Sequence, residues 1–484
     1  MPTTRVIRIQ PADDATMAQG VARIQQELHL PTAFPAAVEA AATQAAANPR
    51  LPDLDRTDIR LVTIDPPGSM DLDQAMWLER RDGGGYRVYY ALADIAAFVG
   101  AGDAIDVEAN RRGQTLYGGL STIPLHPTSL CEGAASLLPD QLRPAILWTI
   151  DLDATGEIAA IDVRRARVRS RQKCDYPSVQ EQIEAGHADP VWLLLREIGQ
   201  LRQALERQRG GVSLSLPDAE IGCDGGQWDL EYRIALPVED WNAQISLLTG
   251  MAAAKLMLQG KVGIVRTLPP PDARALSRLR LSARALRIDW PDGLDYPAFI
   301  RTLDPSQPRH VAMMFSCTSV LRGAGYSAFD GQLPSQPLQA AIAAEYAHVT
   351  APMRRLVDRY ANEACVALCA GLPVPEWVRS ALPGLPETME SSDRRAHQYE
   401  RAIIDLAQAV ILAPRVGETF AGAIVELRHS GGDAAAQAGI VMLRDPPLEA
   451  HVASSRPLVL GAEVTACLMQ ADPATRSVRL AVQD

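Results

Sequence analysis

Thr63-Ile64-Asp65-Pro66-Pro67-Gly68-Ser69-Met70-Asp71-Leu72-Asp73-Gln74-Ala75 is the densest polar constellation in this chain, and apolar runs flank it on both sides. Ile59 to Ile64 reads as a strand, Asp65 ends it, Pro66-Pro67-Gly68-Ser69 turns the chain, and Asp71 and Asp73 lead back into a second strand over Ala75 to Arg80. In extended chain, residues two apart share a face, so Asp71 and Asp73 are expected to converge with Asp65 on one point. Three crowded carboxylates repel unless a cation sits among them, and hard oxygen ligands with room for water and phosphate suit Mg²⁺. Such a cluster performs metal-assisted phosphoryl chemistry. The plain alternative is an acidic solvated turn, because Asp-x-Asp alone is a weak motif. The frame lacks the Gly at loop position 6 and the later Glu of an EF-hand.

Working outward, Tyr86 to Ala93 reads as a third strand, joined to the second by the Gly83-Gly84-Gly85 turn of a hairpin. Helices follow: Asp189-Pro190 opens one that Gly210-Gly211 closes, and others are expected over Asp240 to Leu258, Asp272 to Leu286 and Pro352 to Cys369. This central stretch, residues 58–413, is mixed α/β. Past Pro414 the pattern becomes short strands every ten or so residues: Glu418 to Leu427, Ala438 to Leu443, Glu449 to Val452, Ala462 to Gln470 and Arg476 to Val482. Five such strands suit an OB β-barrel over 414–484, a common platform for single-stranded nucleic acid, with a small all-β packing domain as the alternative. Residues 1–57 are Ala-rich, with helices expected over Thr16 to Leu30 and Pro35 to Ala47. They read as a packing appendage or a helix-turn-helix. The fold class is α+β multidomain.

At ~150 residues per domain, 484 residues fit these three parts. No apolar run approaches the roughly 18 residues that span a bilayer, and Asp13 and Asp14 interrupt any signal-peptide layout, so a cytoplasmic protein with no membrane partner is expected. Seven cysteines are scattered without a Cys-x-x-Cys pair, and Cys365 and Cys369, at helical spacing, read as buried small hydrophobes. The histidines form no zinc spacing, so any metal should be oxygen-bound. A net charge of -11 argues against coating nucleic acid through bulk charge but leaves room for a local basic channel.

Two basic signals bear on that channel. Arg165, Arg167, Arg169, Arg171 and Lys173 fall on every second residue, so a strand here would carry five positive charges on one face: a phosphate-tracking groove, or an edge strand guarded by charge. Tyr176, just beyond, could supply a stacking ring. In Thr350-Ala351-Pro352-Met353-Arg354-Arg355-Leu356-Val357-Asp358, Pro352 is expected to open a helix whose first turn holds two arginines, and an Arg fork at a helix start can clamp a phosphate. A solvated surface charge is the alternative.

Together these pieces resemble the ribonuclease II (RNB) family of processive 3′-to-5′ exoribonucleases, over about residues 58 to 410 plus the OB module. Thr63-Ile64-Asp65-x5-Asp71-Leu72-Asp73 resembles its acidic signature, Tyr90-Ala91-Leu92-Ala93-Asp94 the following strand, and Leu116-Tyr117-Gly118-Gly119-Leu120-Ser121-Thr122-Ile123-Pro124-Leu125 its Tyr-bearing loop. Gly263 to Pro271 and Thr350 to Asp358 match two further landmarks in order. The resemblance implies that Asp65, Asp71 and Asp73 bind Mg²⁺, or Mn²⁺ in its place. It makes Asp73 the residue whose loss stops chemistry while RNA stays bound, and has Arg354 steady the charge on the scissile phosphate. It implies that Tyr117 packs on the terminal nucleotide, that Tyr176 lines the RNA path, and that Glu400 contacts substrate. Arg167, Arg169 and Arg171 would track phosphates.

Several positions depart from the family pattern. Gln74 stands where a fourth Asp is usual, Ala351 and Leu356 replace a Ser and a Tyr, Gln244 appears where a Glu often contacts substrate, and the 57 N-terminal residues do not accommodate a pair of cold-shock domains. The expected activity is Mg²⁺-dependent hydrolysis of single-stranded RNA to nucleoside 5′-monophosphates by a monomer. Gln74 motivates a rival, an RNA-binding protein without hydrolysis, and Asp71-x-Asp73 a second, a nucleotide-sugar site.

Overall fold

Tyr86–Ala93 is buried on both faces from Val88 onward and lies inside the largest sheet among the described residues. Val88, Tyr90 and Leu92 enter one hydrophobic core and Tyr89, Ala91 and Ala93 another, as the two-residue period of a strand dictates. The structure, a computed structural model, describes residues 7–9, 15–119, 121–212, 214, 218–224, 227–305, 307–321, 323–428, 437–444 and 448–483. Leu120, in the Tyr-bearing loop, lies outside them.

The sheet order is Ile158–Arg169, Leu142–Leu152, Tyr86–Ala93, Gln74–Arg80, Val62–Asp65, Gln172–Asp175. Neighbours are antiparallel except the last pair, where Val62–Asp65 runs parallel to Gln172–Asp175 with Asp65 opposite Asp175. The two edge strands are consecutive in the chain and joined only through Ser170 and Arg171, so the sheet must curl until its edges approach one another. That closure corrects one expectation. The basic alternation is not one strand face: Arg165, Arg167 and Arg169 end one edge strand, and Lys173 belongs to the other. The chain changes edge at Ser170, which bridges to Pro139.

Three helices close the first core, contributing Trp192 and Leu195 from Pro190–Arg209, Ile245 and Leu248 from Pro237–Gly260, and Val357 and Tyr360 from Leu356–Cys369. Trp148, fully buried, directs its indole N–H to Asn362 Oδ1 at 3.2 Å, so burying that ring leaves no donor unmet. Gly210 ends its helix at φ +80°, but Asp189 supplies no side-chain cap. Cys365 is buried in this core, whereas Cys369 is only partly buried.

The tail is a closed five-stranded barrel in the order Thr419–Arg428, Ala438–Leu443, Glu449–Ala453, Ser477–Val482, Glu463–Asp472, as the strand spacing predicted. The N-terminal region is helical over Ala15–Glu27 and Ala36–Ala47. It also contributes a short strand, Ile7–Ile9, which runs parallel to Asp218–Asp224 and was not anticipated. Ala15–Glu27 packs on the long helix Leu385–Leu412, with Gly20 against Leu406: a Cβ there would lie 2.5 Å from Leu406 Cδ2. Val38 and Ala42 of the second helix enter the second core. Among the described residues no helix is long and apolar enough to cross a membrane.

Candidate active site

Val62–Asp65 stops at Asp65 because Pro66 and Pro67 carry no N–H for a further ladder bond. Gly68, at φ +82°, lets the chain reverse, and Ser69 N–H closes the turn on the Pro66 carbonyl at 3.2 Å. The returning segment Asp71-Leu72-Asp73 is not part of the next strand, which begins at Gln74. A buried hydroxyl shapes it instead. Ser136 Oγ donates to the Met70 carbonyl at 2.6 Å and accepts from Leu72 N–H at 3.0 Å. Leu72, fully buried, pegs the loop, and Ala93 N–H bonds the Asp73 carbonyl at 2.9 Å.

Facing this loop is the segment Thr350 to Arg355. The expected helix begins only at Leu356, so Arg354 and Arg355 occupy the turn ahead of it rather than its first turn. The reason is the Asp358 carboxylate, which accepts from Ala351 N–H at 2.7 Å and from Arg355 Nε and a terminal nitrogen at 3.0 and 2.8 Å, drawing the chain into a turn. Backbone bonds from Thr115 N–H to the Arg354 carbonyl and from Leu356 N–H to the Gly113 carbonyl, both 3.0 Å, lash it to the segment that carries Tyr117.

The two sides meet at Asp73. One of its oxygens accepts from Met353 N–H at 2.9 Å and the other from Arg354 Nε at 3.0 Å. Next to it, Gln74 Nε2 donates to the Thr350 carbonyl at 2.5 Å, and its Oε1 accepts from Tyr90 OH at 2.7 Å. Tyr90 in turn lies 2.8 Å from Ser246 Oγ. Gln74 thus has both ends of its amide engaged.

Charge explains how the groups perturb one another. Burial pushes the Asp65 and Asp73 carboxyls up to about 7, Arg354 pulls both down, and the neighbouring carboxylates add to the rise. Burial works against the Arg354 guanidinium, but Tyr117, Asp73 and Asp71 around it hold its pKa above the ordinary value. Tyr117, half exposed at the end of the short strand Leu116–Tyr117, is close enough to Arg354 for the guanidinium to pull its phenol down against burial. Tyr176, the first residue of Tyr176–Glu184, accepts from Asn242 Nδ2 at 2.9 Å, and its phenol is raised by burial and by the nearby Asp65. Asp65, Asp71, Asp73, Arg354, Tyr117 and Tyr176 therefore share one electrostatic neighbourhood.

The sequence and the fold are those of a known group. A family model described as RNB domain matches residues 54–369, and one described as RNase II-type exonuclease C-terminal S1 domain matches residues 418–483. The chain belongs to the RNB family. That membership sets aside the nucleotide-sugar reading of Asp71-x-Asp73. Among its relatives is Ribonuclease R of Escherichia coli (strain K12), 24% identical over 406 residues, which cover 78% of this chain and 49% of that protein. The RNB protein thus spans about half the length of that curated relative. Its fold matches Mycoplasma genitalium RNase R, solved in complex with ribose methylated single-stranded RNA, with a TM-score of 0.84 at 20% identity, covering 97% of this chain and 78% of that one. It also matches yeast Ssd1, a pseudonuclease, with a TM-score of 0.69 at 15% identity, covering 94% and 58%.

The other anticipated residues of this RNB protein make contacts of their own. Arg167 donates to the Asp53 carbonyl at 3.2 Å and pairs with Asp55, Arg171 donates to the Thr57 carbonyl at 2.8 Å, and Arg169 keeps its Nε buried beside them. Arg165 is taken up by Asp94 at 2.8 Å and by Glu363. Lys173, which faces Thr63 across the parallel edge pair, is close enough for its charge to lower Asp65. Glu400 lies on the long helix beside the buried Tyr399. Gln244 is buried and bonds Glu206 at 2.6 Å.

Among the described residues no three His, Cys, Asp or Glu side chains are gathered closely enough to hold a metal ion. The expected convergence of Asp65, Asp71 and Asp73 on one point is thus reached electrostatically but not as a closed ligand set, since Asp73 has turned both oxygens to Met353 and Arg354. The donors still suit a hard divalent ion: they are carboxylate oxygens, and no side-chain hydrogen bond engages Asp65 or Asp71 among the described residues. Sequence reasoning missed Ser136, Gln74's amide bridge and the Asp358 clasp. Each works through a partner more than 6 residues away or through a backbone atom, which no local motif displays.

Proposed function

We propose that this RNB protein is a processive, sequence-indifferent 3′-to-5′ exoribonuclease that hydrolyses single-stranded RNA to nucleoside 5′-monophosphates with Mg²⁺, or with Mn²⁺ in its place. The observation that carries this reading is the junction of Asp73 with Arg354, at 3.0 Å, beside the half-exposed ring of Tyr117. The names of its relatives support the same chemistry. A monomer working in the cytoplasm fits it.

Asp73 holds Arg354 by Nε, leaving the terminal guanidinium nitrogens to bind the scissile phosphate and balance the charge that develops on it. Because Arg354 keeps its proton throughout, it acts as a fixed cation and not as an acid. Tyr117 packs on the terminal nucleotide and sets how far the 3′ end enters. Asp65 and Asp71, with Asp73 through the lone pairs that Met353 and Arg354 do not use, would hold the divalent ion, whose chemistry when bound is to lower the pKa of a water and neutralise phosphate charge. Tyr176 and Glu400 serve as contacts along the RNA, where stacking and phosphate contacts tolerate any base. Arg167, Arg169 and Arg171, whose side chains are taken up at or beside the Asp53–Thr57 segment, would add positive potential at a distance and not direct phosphate contacts.

A second reading, RNA binding without hydrolysis, draws on Gln74: an amide engaged at both ends replaces the family's fourth carboxylate. Incubation of 5′-labelled single-stranded RNA in Mg²⁺ or in EDTA, beside the Asp73→Asn variant, separates the two. A descending ladder lost with chelator and with the variant supports the enzyme. Intact RNA in every lane, still bound, supports the second reading, and internal fragments would point to an endonuclease.

A further inference from the structure

The N-terminal helix Ala15–Glu27 reaches the hairpin that carries Tyr117. Gln25 makes the contact, its Nε2 donating to Ser121 Oγ at 2.9 Å and to Tyr399 OH at 2.8 Å. Ser121 closes the turn of that hairpin: its carbonyl accepts from Gly118 N–H at 2.9 Å, and Leu116 and Tyr117 pair with Ile123 and Thr122 on either side. Gly118 is seated directly on Tyr399, where a Cβ would come 2.1 Å from the phenol oxygen. Tyr399 is itself fully buried, in a core it shares with Ile24, Leu116 and Ile123. The base of the hairpin is tied to the same N-terminal segment. Arg112 donates to the Pro124 carbonyl at 3.0 Å and to the Ala33 carbonyl at 2.8 Å, with its guanidinium 3.6 Å from the centroid of the Phe34 ring.

A two-stranded hairpin this short has little stability of its own, so its shape must come from what it is fastened to. Besides Tyr399 at the turn and the backbone bonds to Arg354 and Leu356 before its first strand, one fastening at the turn and one at the base lead to residues 25–34. We infer that the N-terminal helix is a positioning device for the terminal-nucleotide ring, with Gln25 as the positioning residue acting through Ser121 and Tyr399 on Tyr117. Its catalytic consequence rests on the exoribonuclease reading; its structural consequence does not.

The test uses the full chain with Gln25→Leu, Tyr117→Ala and the double variant. Gln25→Leu should slow single-turnover release of the 3′ nucleotide about tenfold through a misplaced ring. RNA affinity should stay within about twofold, because the contacts of a long strand lie elsewhere. In the Tyr117→Ala background the loss should vanish, since the device has nothing left to position. Additive losses in the double variant would overturn the inference. Gln25→Glu should restore most of the rate, because the Ser121 and Tyr399 hydroxyls can turn to donate to a carboxylate; a variant as slow as Gln25→Leu counts against the hydrogen-bond route. Amide exchange at Gly118 gives the readout independent of activity. Faster exchange in Gln25→Leu is expected, and unchanged protection overturns the coupling. Should the unmodified protein leave RNA intact, the exoribonuclease reading fails while the exchange result still decides the coupling.

Discussion

Arg354 Nε lies 3.0 Å from Asp73 Oδ2, across 281 residues of chain. This contact uses the directional Nε–H of a planar guanidinium, with Asp73's other oxygen already committed to Met353 N–H. Lysine supplies the charge without the fork. Arg354→Lys is therefore expected to lose most of what Arg354→Ala loses, about 10²- to 10³-fold in kcat, with RNA binding changed far less. Single-turnover rates and filter-binding affinities for both variants check this, and a lysine variant close to wild-type speed would show that charge alone suffices.

Gln74 is the amide that donates to the Thr350 carbonyl and accepts from Tyr90. Glutamate has nearly the same shape but no donor, so it would leave the buried Thr350 carbonyl facing a carboxylate. Gln74→Glu should cost about 1–3 kcal/mol of stability. Urea denaturation measures this directly, and a stability equal to wild type would mean that the bridge contributes nothing.

Ser136 holds the acidic loop from within, bonding Met70 and Leu72 at once. Ser136→Ala leaves the Leu72 N–H buried without an acceptor and frees the segment between Asp71 and Asp73. The expected outcome is a stability loss of about 1–2 kcal/mol. The accompanying fall in kcat should be at least about tenfold, as a displaced carboxylate requires. A loss of stability with kcat untouched would separate Ser136 from the site.

His126 is 1% exposed and its Nδ1 has no partner among the described residues. Burial, helped by Arg359 and Arg112, pushes its pKa down to about 3. The unfolded chain binds this proton near pH ~6.5, whereas the native state refuses it until far lower pH, so stability is whole above ~6.5 and declines as the pH falls, by about 1.4 kcal/mol per unit. His126→Leu should flatten the decline below ~6.5 by about that slope. Paired denaturation curves of the two proteins at descending pH isolate this residue from the other titrating groups. Parallel curves would show that the imidazole is solvated after all.

The legible parts of this protein were those written in neighbouring residues. The hairpin over Gln74–Arg80 and Tyr86–Ala93 could be read because its apolar period and its Gly83-Gly84-Gly85 turn are local, and the barrel because its strands recur between glycines. The helix start at Leu356 could not be placed, since Asp358 bonds back to Ala351 and holds four residues in a turn that Pro352 would otherwise have opened as helix. The alternating arginines misled for a related reason. Period-2 spacing is preserved across Ser170, but the chain there passes from one sheet edge to the other, and Arg167 and Arg171 end on carbonyls of Asp53 and Thr57.

By itself, then, the chain of letters determined the class of fold, the acidic turn and the ordered motifs of the RNB family, because dihedral preference, side-chain period and proline or glycine chemistry act over a few residues. Only the tertiary structure decided that Asp73 turns to Arg354 instead of closing a carboxylate set, that Gln74 serves as a bridge, and that an N-terminal helix grips the Tyr117 hairpin. Those outcomes depend on how the curled sheet and the long helix bring distant segments together. A carboxylate or an amide takes whichever partner that packing leaves within reach.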